Sequence, residues 1–203
     1  RWRGIAEALL ALRRIDYYPG AAAEQAQAEL DALRQAMDAR FSRGEPVARA
    51  PHGIPRLDPR KFQGKRWATR TRPWVDRLAC AWLIRRFVDP EARFVWLVDP
   101  AGSTPAPRGT LGFDYDGARF THVGSRVSFE VLAASFGLDA DPRLQRIARA
   151  VHFLDIGGIP VPEAAGLEAV LSGLREVHAD DDALTLAAAT VFDALHAAPG
   201  APT

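Results

Sequence analysis

Two groups of side chains in this sequence are of types that do chemistry. Arg70, Arg72 and Arg77 fall close together, where a short period-two run gives way to an apolar helical pattern. Guanidinium groups present forked donors that match a tetrahedral oxyanion, and the N-terminus of a helix adds backbone N–H groups of the same polarity. The cluster therefore suits oxyanion binding; it equally suits pairing with acidic residues elsewhere in the chain. Asp76 and Cys80 are four apart and share one face of that helix, so Asp76 fits an ion pair with Arg77 that ties helix to sheet. Cys80 lies among Ala79, Ala81, Trp82 and Leu83 and reads as core, but the nearby arginines offer the electropositive setting that a reactive thiol needs, so it is a candidate redox group.

The second group is His122, Glu130, Asp155 and His178. All four fall at the ends of expected elements, where side chains can converge on one cleft. Two imidazoles and two carboxylates make a ligand set for Zn, Mn or Fe. No HxxxH, HExxH or CxxC spacing accompanies them, and a helix-terminal histidine or a first-turn glutamate has an ordinary use in charge–dipole contact and capping. Asp114 and Asp116 read as hairpin-turn residues and Asp180 to Asp182 as an N-cap with first-turn charge; either set has a carboxylate to lend to a cation.

The elements that must position these groups follow from periodicity. Residues 1–41 carry Ile5, Leu9 and Leu12, then Ala26, Leu30, Leu33 and Met37, at helical steps around Tyr17-Tyr18-Pro19-Gly20, which predicts a helical hairpin. Residues 42–64 lose the period, and Pro46, Pro51, Pro55 and Pro59 mark a basic linker that orders on contact. From 65 to 197 a strand is expected over 65–72, a helix over 74–88 closed by Asp89-Pro90, and a buried strand over 92–98. A hairpin is expected from 111–115 and 118–123 around Asp116-Gly117. Helices then start near Ser128, Asp141, Pro162 and the aspartate trio. The fold class is helix-rich α+β: a small, mostly antiparallel sheet covered by several helices and preceded by the hairpin.

Composition bounds the rest. The chain has 203 residues, 48% hydrophobic and 25% charged, which excludes disordered and fibrous classes. No apolar run reaches the ~18 residues of a membrane span. The single cysteine, Cys80, forms no internal disulfide and no leader pattern precedes the helices, so the expected setting is cytoplasmic. With Met37 the only methionine and Arg1 first, the sequence reads as part of a longer gene product. Its charge is polar along its length: residues 1–90 hold 18 Lys/Arg against 10 Asp/Glu, and residues 91–203 hold 8 against 15. A basic half of this kind fits a nucleic-acid or oxyanion surface, or neutralisation against the acidic half.

The runs KRWATRTRPWVDRLACAWLIRRFVD, FDYDGARFTHVGSRVSFEVL, VHFLDIGG and LREVHADDDAL, in this order, resemble the chromate-resistance regulatory protein family. The likeness covers the C-terminal domain of that family, and residues 1–41, with their IDYYPG turn, look like the tail of its N-terminal part. The resemblance implies a cytoplasmic regulator encoded beside a chromate efflux pump, with a DNA-binding-like N-terminal domain mostly outside this sequence. Chromate is a tetrahedral anion of the kind the arginines suit. Two functions stand against each other: a sensor binding chromate, another oxyanion or a metal, with DNA contact through the missing domain and the basic stretch 43–72; or a metal-dependent oxidoreductase or hydrolase using His122, Glu130 and Asp155. A third reading makes the hairpin a homodimer contact.

Overall fold

The computed structural model describes residues 8, 9, 11, 12, 15, 20–30, 46, 48–50, 53–100 and 105–199. Residues 8, 9, 11, 12 and 15 and residues 21–30 are helical; residues 17–19 of the expected turn and the remainder of the expected hairpin lie outside the described residues.

Three strands form the sheet: β1 (Arg66–Arg70), β2 (Arg93–Leu97) and β3 (Thr110–Gly112), in the order β2-β1-β3. All are parallel. Trp67 pairs with Phe94 on one side and Leu111 on the other. The mostly antiparallel sheet expected from the sequence is thus corrected, and so is its hairpin. Phe113 donates its N–H to Ala68 O of β1, and the chain beyond it closes a tight loop, with Asp114 N–H donating to Phe120 O and Phe120 N–H to Gly112 O, around a turn at Asp116-Gly117. An aspartate–glycine turn between apolar runs signals a reversal, but it does not say whether the preceding run pairs with its successor or with a strand laid down forty residues earlier. Here β1 takes both partners, and both of its faces are covered, Trp67 by the main core and Ala68 by Leu97, Tyr115 and Ala118, which is why Trp67, Ala68 and Thr69 are all buried where period two predicts alternation.

A parallel neighbour needs a crossover, and helix α1 (Val75–Leu83), extended by a π-helical turn at Ile84–Val88, supplies it between β1 and β2. All nine residues of α1 are buried. It is packed against α2 (Ser128–Ser135), α3 (Pro142–Ile156) and α5 (Asp181–Ala197), with α4 (Pro162–Val177) lying on α3 and α5. Seven of the nine α1 residues are apolar, as a helix buried on every side requires, and the other two, Asp76 and Arg77, are buried charges. The π turn delivers Asp89 to the other end of β1, where its buried carboxylate accepts from Gly64 N (2.8 Å), Lys65 N (2.9 Å) and Trp67 Nε1 (3.0 Å). In the stretch read as a linker, Phe62 enters the core against Trp67, Phe120 and Phe136. Among the described residues, no helix is long and apolar enough to cross a membrane.

Candidate metal centre

Parallel strands put their C-terminal ends side by side. β1 leads through α1 to β2 on one side while β3 lies on the other, and the ends of neighbouring strands where the order reverses are where open α/β sheets bind ligands. The residues just past those two ends are the ones that meet. Asp76 stands in the first turn of α1, directly after β1, and Asp114 two residues after β3, in a left-handed conformation (φ 53°) that aspartate tolerates better than most side chains. His122 arrives from the loop that returns past Phe120. Asp155 comes from the last turn of α3.

Their atoms converge on a single point. His122 Nε2 lies 3.2 Å from Asp76 Oδ2, 3.3 Å from Asp114 Oδ1 and 3.4 Å from Asp155 Oδ2. Asp76, Asp114 and His122 are buried, and their ligand atoms all fall within 4.8 Å of one another. Cations held at ~2.0–2.2 Å by oxygen and imidazole nitrogen have neighbouring ligands about 3.0–3.5 Å apart, so these spacings fit a metal ion.

The surroundings hold the carboxylates in place. Val127, the residue before α2, offers no capping side chain, so the helix takes its cap from elsewhere: Asp76 Oδ2 accepts from Ser128 N and Oδ1 from Phe129 N, both at 2.9 Å. The positive end of the α2 dipole thereby faces the negative centre. Ser128 Oγ donates to Asp114 Oδ1 at 2.7 Å and Arg77 Nε to Asp114 Oδ2 at 3.0 Å. Burial and the charge of Asp114 push Asp76 up to about 6, against its bonds to His122 and Phe129. Burial acts the same way on Asp114, but the His122 hydrogen bond, the Arg77 charge and Ser128 outweigh it and hold that carboxyl below the usual range. For His122, burial pulls downward and the bonds to Asp114 and Asp76 more than reverse it, raising the imidazole to about 11. The metal-free centre is therefore an imidazolium in a carboxylate cage.

The structure brings together His122 and Asp155 of the expected ligand set, but not Glu130 or His178. Glu130 accepts from Val127 N at 3.0 Å and faces His152 Nδ1 at 2.9 Å, so it caps α2 and ties it to α3. His178 caps the C-terminus of α4 and offers its backbone carbonyl to Arg72. Asp76 and Asp114 stand beside His122 instead. Their first-turn and post-strand positions were the signal, visible only once β1 and β3 are known to be parallel.

Of the three arginines, Arg72 and Arg77 already hold acceptors of this chain. Arg72 sends its guanidinium to the last carbonyls of α4, Arg175 O (2.5 Å) and His178 O (2.7 Å), while its own N–H donates to Asp181 Oδ2. Arg77 is committed to Asp114, and Arg70 is half-buried at the end of β1. Cys80 is fully buried one helical turn from Asp76, with Sγ 3.7 Å from Asp76 Oδ1; burial, and then the charges of Asp76 and Asp114, push its thiol well up, opposite to what a reactive thiolate needs.

A family model described as "ChrB, C-terminal domain" matches residues 67–198. The chain belongs to the ChrB family. A relative named Protein ChrB, from Cupriavidus metallidurans, is 52% identical over 186 residues, which are 92% of this chain and 56% of that protein. The chain thus spans little more than half the length of that ChrB protein. No solved structure matches it. The ChrB match runs from Trp67 in β1 to the end of α5 and so contains the whole Asp76–Asp114–His122–Asp155 constellation.

Proposed function

We propose that this domain binds one divalent cation through Asp76, Asp114, His122 and Asp155, and that the cation is the input to a cytoplasmic, chromate-responsive regulator of chromate resistance. The observation that carries the metal reading is the convergence of three carboxylate oxygens on one buried imidazole nitrogen. Charge supports it. Three carboxylates and the Arg77 guanidinium leave a charge of −2 around a neutral imidazole, which a divalent ion cancels and a monovalent one does not. Buried charge that is not cancelled is expensive, so the count bears on which ion is accepted. Three oxygens and one nitrogen form a hard ligand set, favouring Mn²⁺ or Fe²⁺ over metals that seek thiolate.

Membership of the ChrB family supports the regulatory part, with the association with chromate that the family resemblance implies. In this reading DNA is contacted by the basic stretch 43–72 together with the part of the longer protein that this chain does not span. Affinity for DNA then falls steeply with salt, and a flat response counts against it. A direct chromate contact at Arg72 or Arg77 requires the anion to displace a carbonyl or carboxylate already bound there.

Metal analysis after loading with Mn²⁺ and gel filtration tests the centre. One equivalent per chain is expected, lost in His122→Ala and in Asp155→Ala; metal content unchanged by both substitutions would end the proposal.

A further inference from the structure

The chain reaches the domain through a short segment that is stitched to the centre's own loop. Arg49 N–H donates to His122 O at 2.9 Å, and Gly124 N–H donates to Arg49 O at 2.8 Å, so that Arg49 pairs as a single parallel bridge with Val123. The Arg49 guanidinium donates to Ala118 O at 2.6 Å, closing over the same loop from its other end. Farther on, Leu57 N–H donates to Ser135 O at 2.7 Å, and Arg56 Nη1 donates to Ala134 O at 2.6 Å and Asp139 Oδ1 at 2.8 Å. These contacts hold the C-terminal end of α2, whose N-terminal end is capped by Asp76. The incoming chain therefore grips both the residue that supplies the imidazole and the helix that holds the first carboxylate.

We infer that the segment around Arg49 is a strap whose docking is coupled to occupancy of the metal centre, and that it carries the state of the centre to the part of the protein preceding it. The inference rests on the metal reading above. Its physical basis is geometric: a cation held in the centre would fix His122 by a directed bond through its ring nitrogen. Fixing the side chain fixes the backbone that bears it, and His122 O is the acceptor for Arg49 N–H. Helix α2 provides a second route, from Asp76 through its rigid length to Ser135 O and Leu57. Coupling of this sort is reciprocal: whatever factor the cation lends to strap docking, the strap lends to cation affinity.

Hydrogen exchange on the full chain, with and without Mn²⁺, reads both directions. Opening events that dismantle the centre are suppressed about 100-fold at a Mn²⁺ concentration 100 times its Kd, so exchange at the Arg49 and Gly124 amides should slow by up to that factor, while amides of the α4 surface stay unchanged. In the reverse direction, Arg49→Pro removes the N–H given to His122 and should weaken Mn²⁺ binding by a factor within the usual coupling range of about 5- to 150-fold. Arg49→Ala, which keeps the backbone bridge and loses only the guanidinium contact, should weaken it less and guards against a proline that misfolds. Absence of Mn²⁺ binding to the parent chain would overturn the metal reading and the strap together. Binding with unchanged exchange at Arg49 and Gly124, or with parent affinity in both variants, would overturn the strap alone.

Discussion

The centre cannot hold an imidazolium and a metal ion at once, and this exclusion fixes how metal affinity must depend on pH. His122 is held protonated up to about 11 by Asp114 and Asp76, whereas Asp76 loses its own proton at about 6. Between those values a cation enters by displacing one proton, from His122, and its apparent affinity should rise about tenfold per pH unit. From pH 6.5 to 8.5 that amounts to roughly 100-fold in Kd, or about 2.7 kcal/mol. Below about 6 Asp76 must also give up a proton, so the dependence should steepen toward about 100-fold per unit. The assay is calorimetric titration with Mn²⁺ in two buffers of different ionisation enthalpy, which counts released protons directly. One proton per Mn²⁺ is expected at pH 7.5. His122→Gln removes that proton and, with it, the bond that holds Asp76 down, so Asp76 rises and titrates in its place: affinity should be weaker, and the pH dependence should level off at lower pH than in the parent. Mn²⁺ binding to the parent with no proton release at pH 7.5 would refute the assignment of His122 as the group that yields to the metal.

Three further outcomes follow from the same contacts. Without metal, His122 stabilises the fold through its charged form; its unfolded value is about 6.5, so the contribution is complete below that pH and is lost as pH rises toward about 11. The stability of metal-free protein in urea melts should therefore fall between pH 7 and 9, by up to ~1.4 kcal/mol per unit, and saturating Mn²⁺ should flatten the decline. Glu130→Ala and His178→Ala should keep a full equivalent of Mn²⁺ where Asp155→Ala loses it, because Glu130 binds Val127 and His152 and His178 caps α4; metal analysis of the three variants decides. Asp89→Ala strands the N–H groups of Gly64, Lys65 and Trp67, and at ~1–3 kcal/mol for each buried donor left unmade should lower stability by several kcal/mol in urea melts, or leave the chain unfolded.

The helices were legible in the sequence because each carries its own start and stop: Asp141 caps Arg143 N at 2.8 Å, Asp180 caps Ala183 N at 2.8 Å, and Pro142 and Pro162 stand at first positions. Such signals act within one turn of chain. Even there a tertiary contact intervened at Ser128, which reads as an N-cap but is the first helical residue, its cap replaced by a carboxylate fifty-two positions away. Strand existence was also legible, in 66–70 and 93–97. Strand direction was not, because Leu111 and Gly112 have the same side-chain pattern whether their partner runs with them or against them.

That one ambiguity governs how much of the centre could be seen. In an antiparallel hairpin Asp114 is a turn residue at the sheet's rim, and its carboxylate has no reason to approach the start of α1. With β3 parallel to β1, the same residue follows a strand whose C-terminal end adjoins that of β1, and Asp114 is carried beside Asp76 and buried there. Its burial then becomes costly unless cations are supplied, which accounts for Arg77 within the first turn of α1 and His122 in the returning loop, both in contact with Asp114. His122 and Asp155 were identifiable because imidazoles are scarce and helix-terminal carboxylates stand out. Asp76 and Asp114 were hidden because each had a complete local explanation, as the partner of Arg77 and as a turn former; the structure gives Arg77 to Asp114 instead, while Asp76 takes the N–H groups of Ser128 and Phe129 and the His122 ring. Gly112 makes the point testable at the level of the backbone: it lies at the last position of β3, and a methyl group there would run into the Tyr115 ring. Gly112→Ala should therefore cost ~1–3 kcal/mol and, by shifting the start of the Asp114 loop, weaken Mn²⁺ binding as well. A variant that loses that stability yet binds Mn²⁺ with parent affinity would show that the centre does not depend on where β3 delivers Asp114.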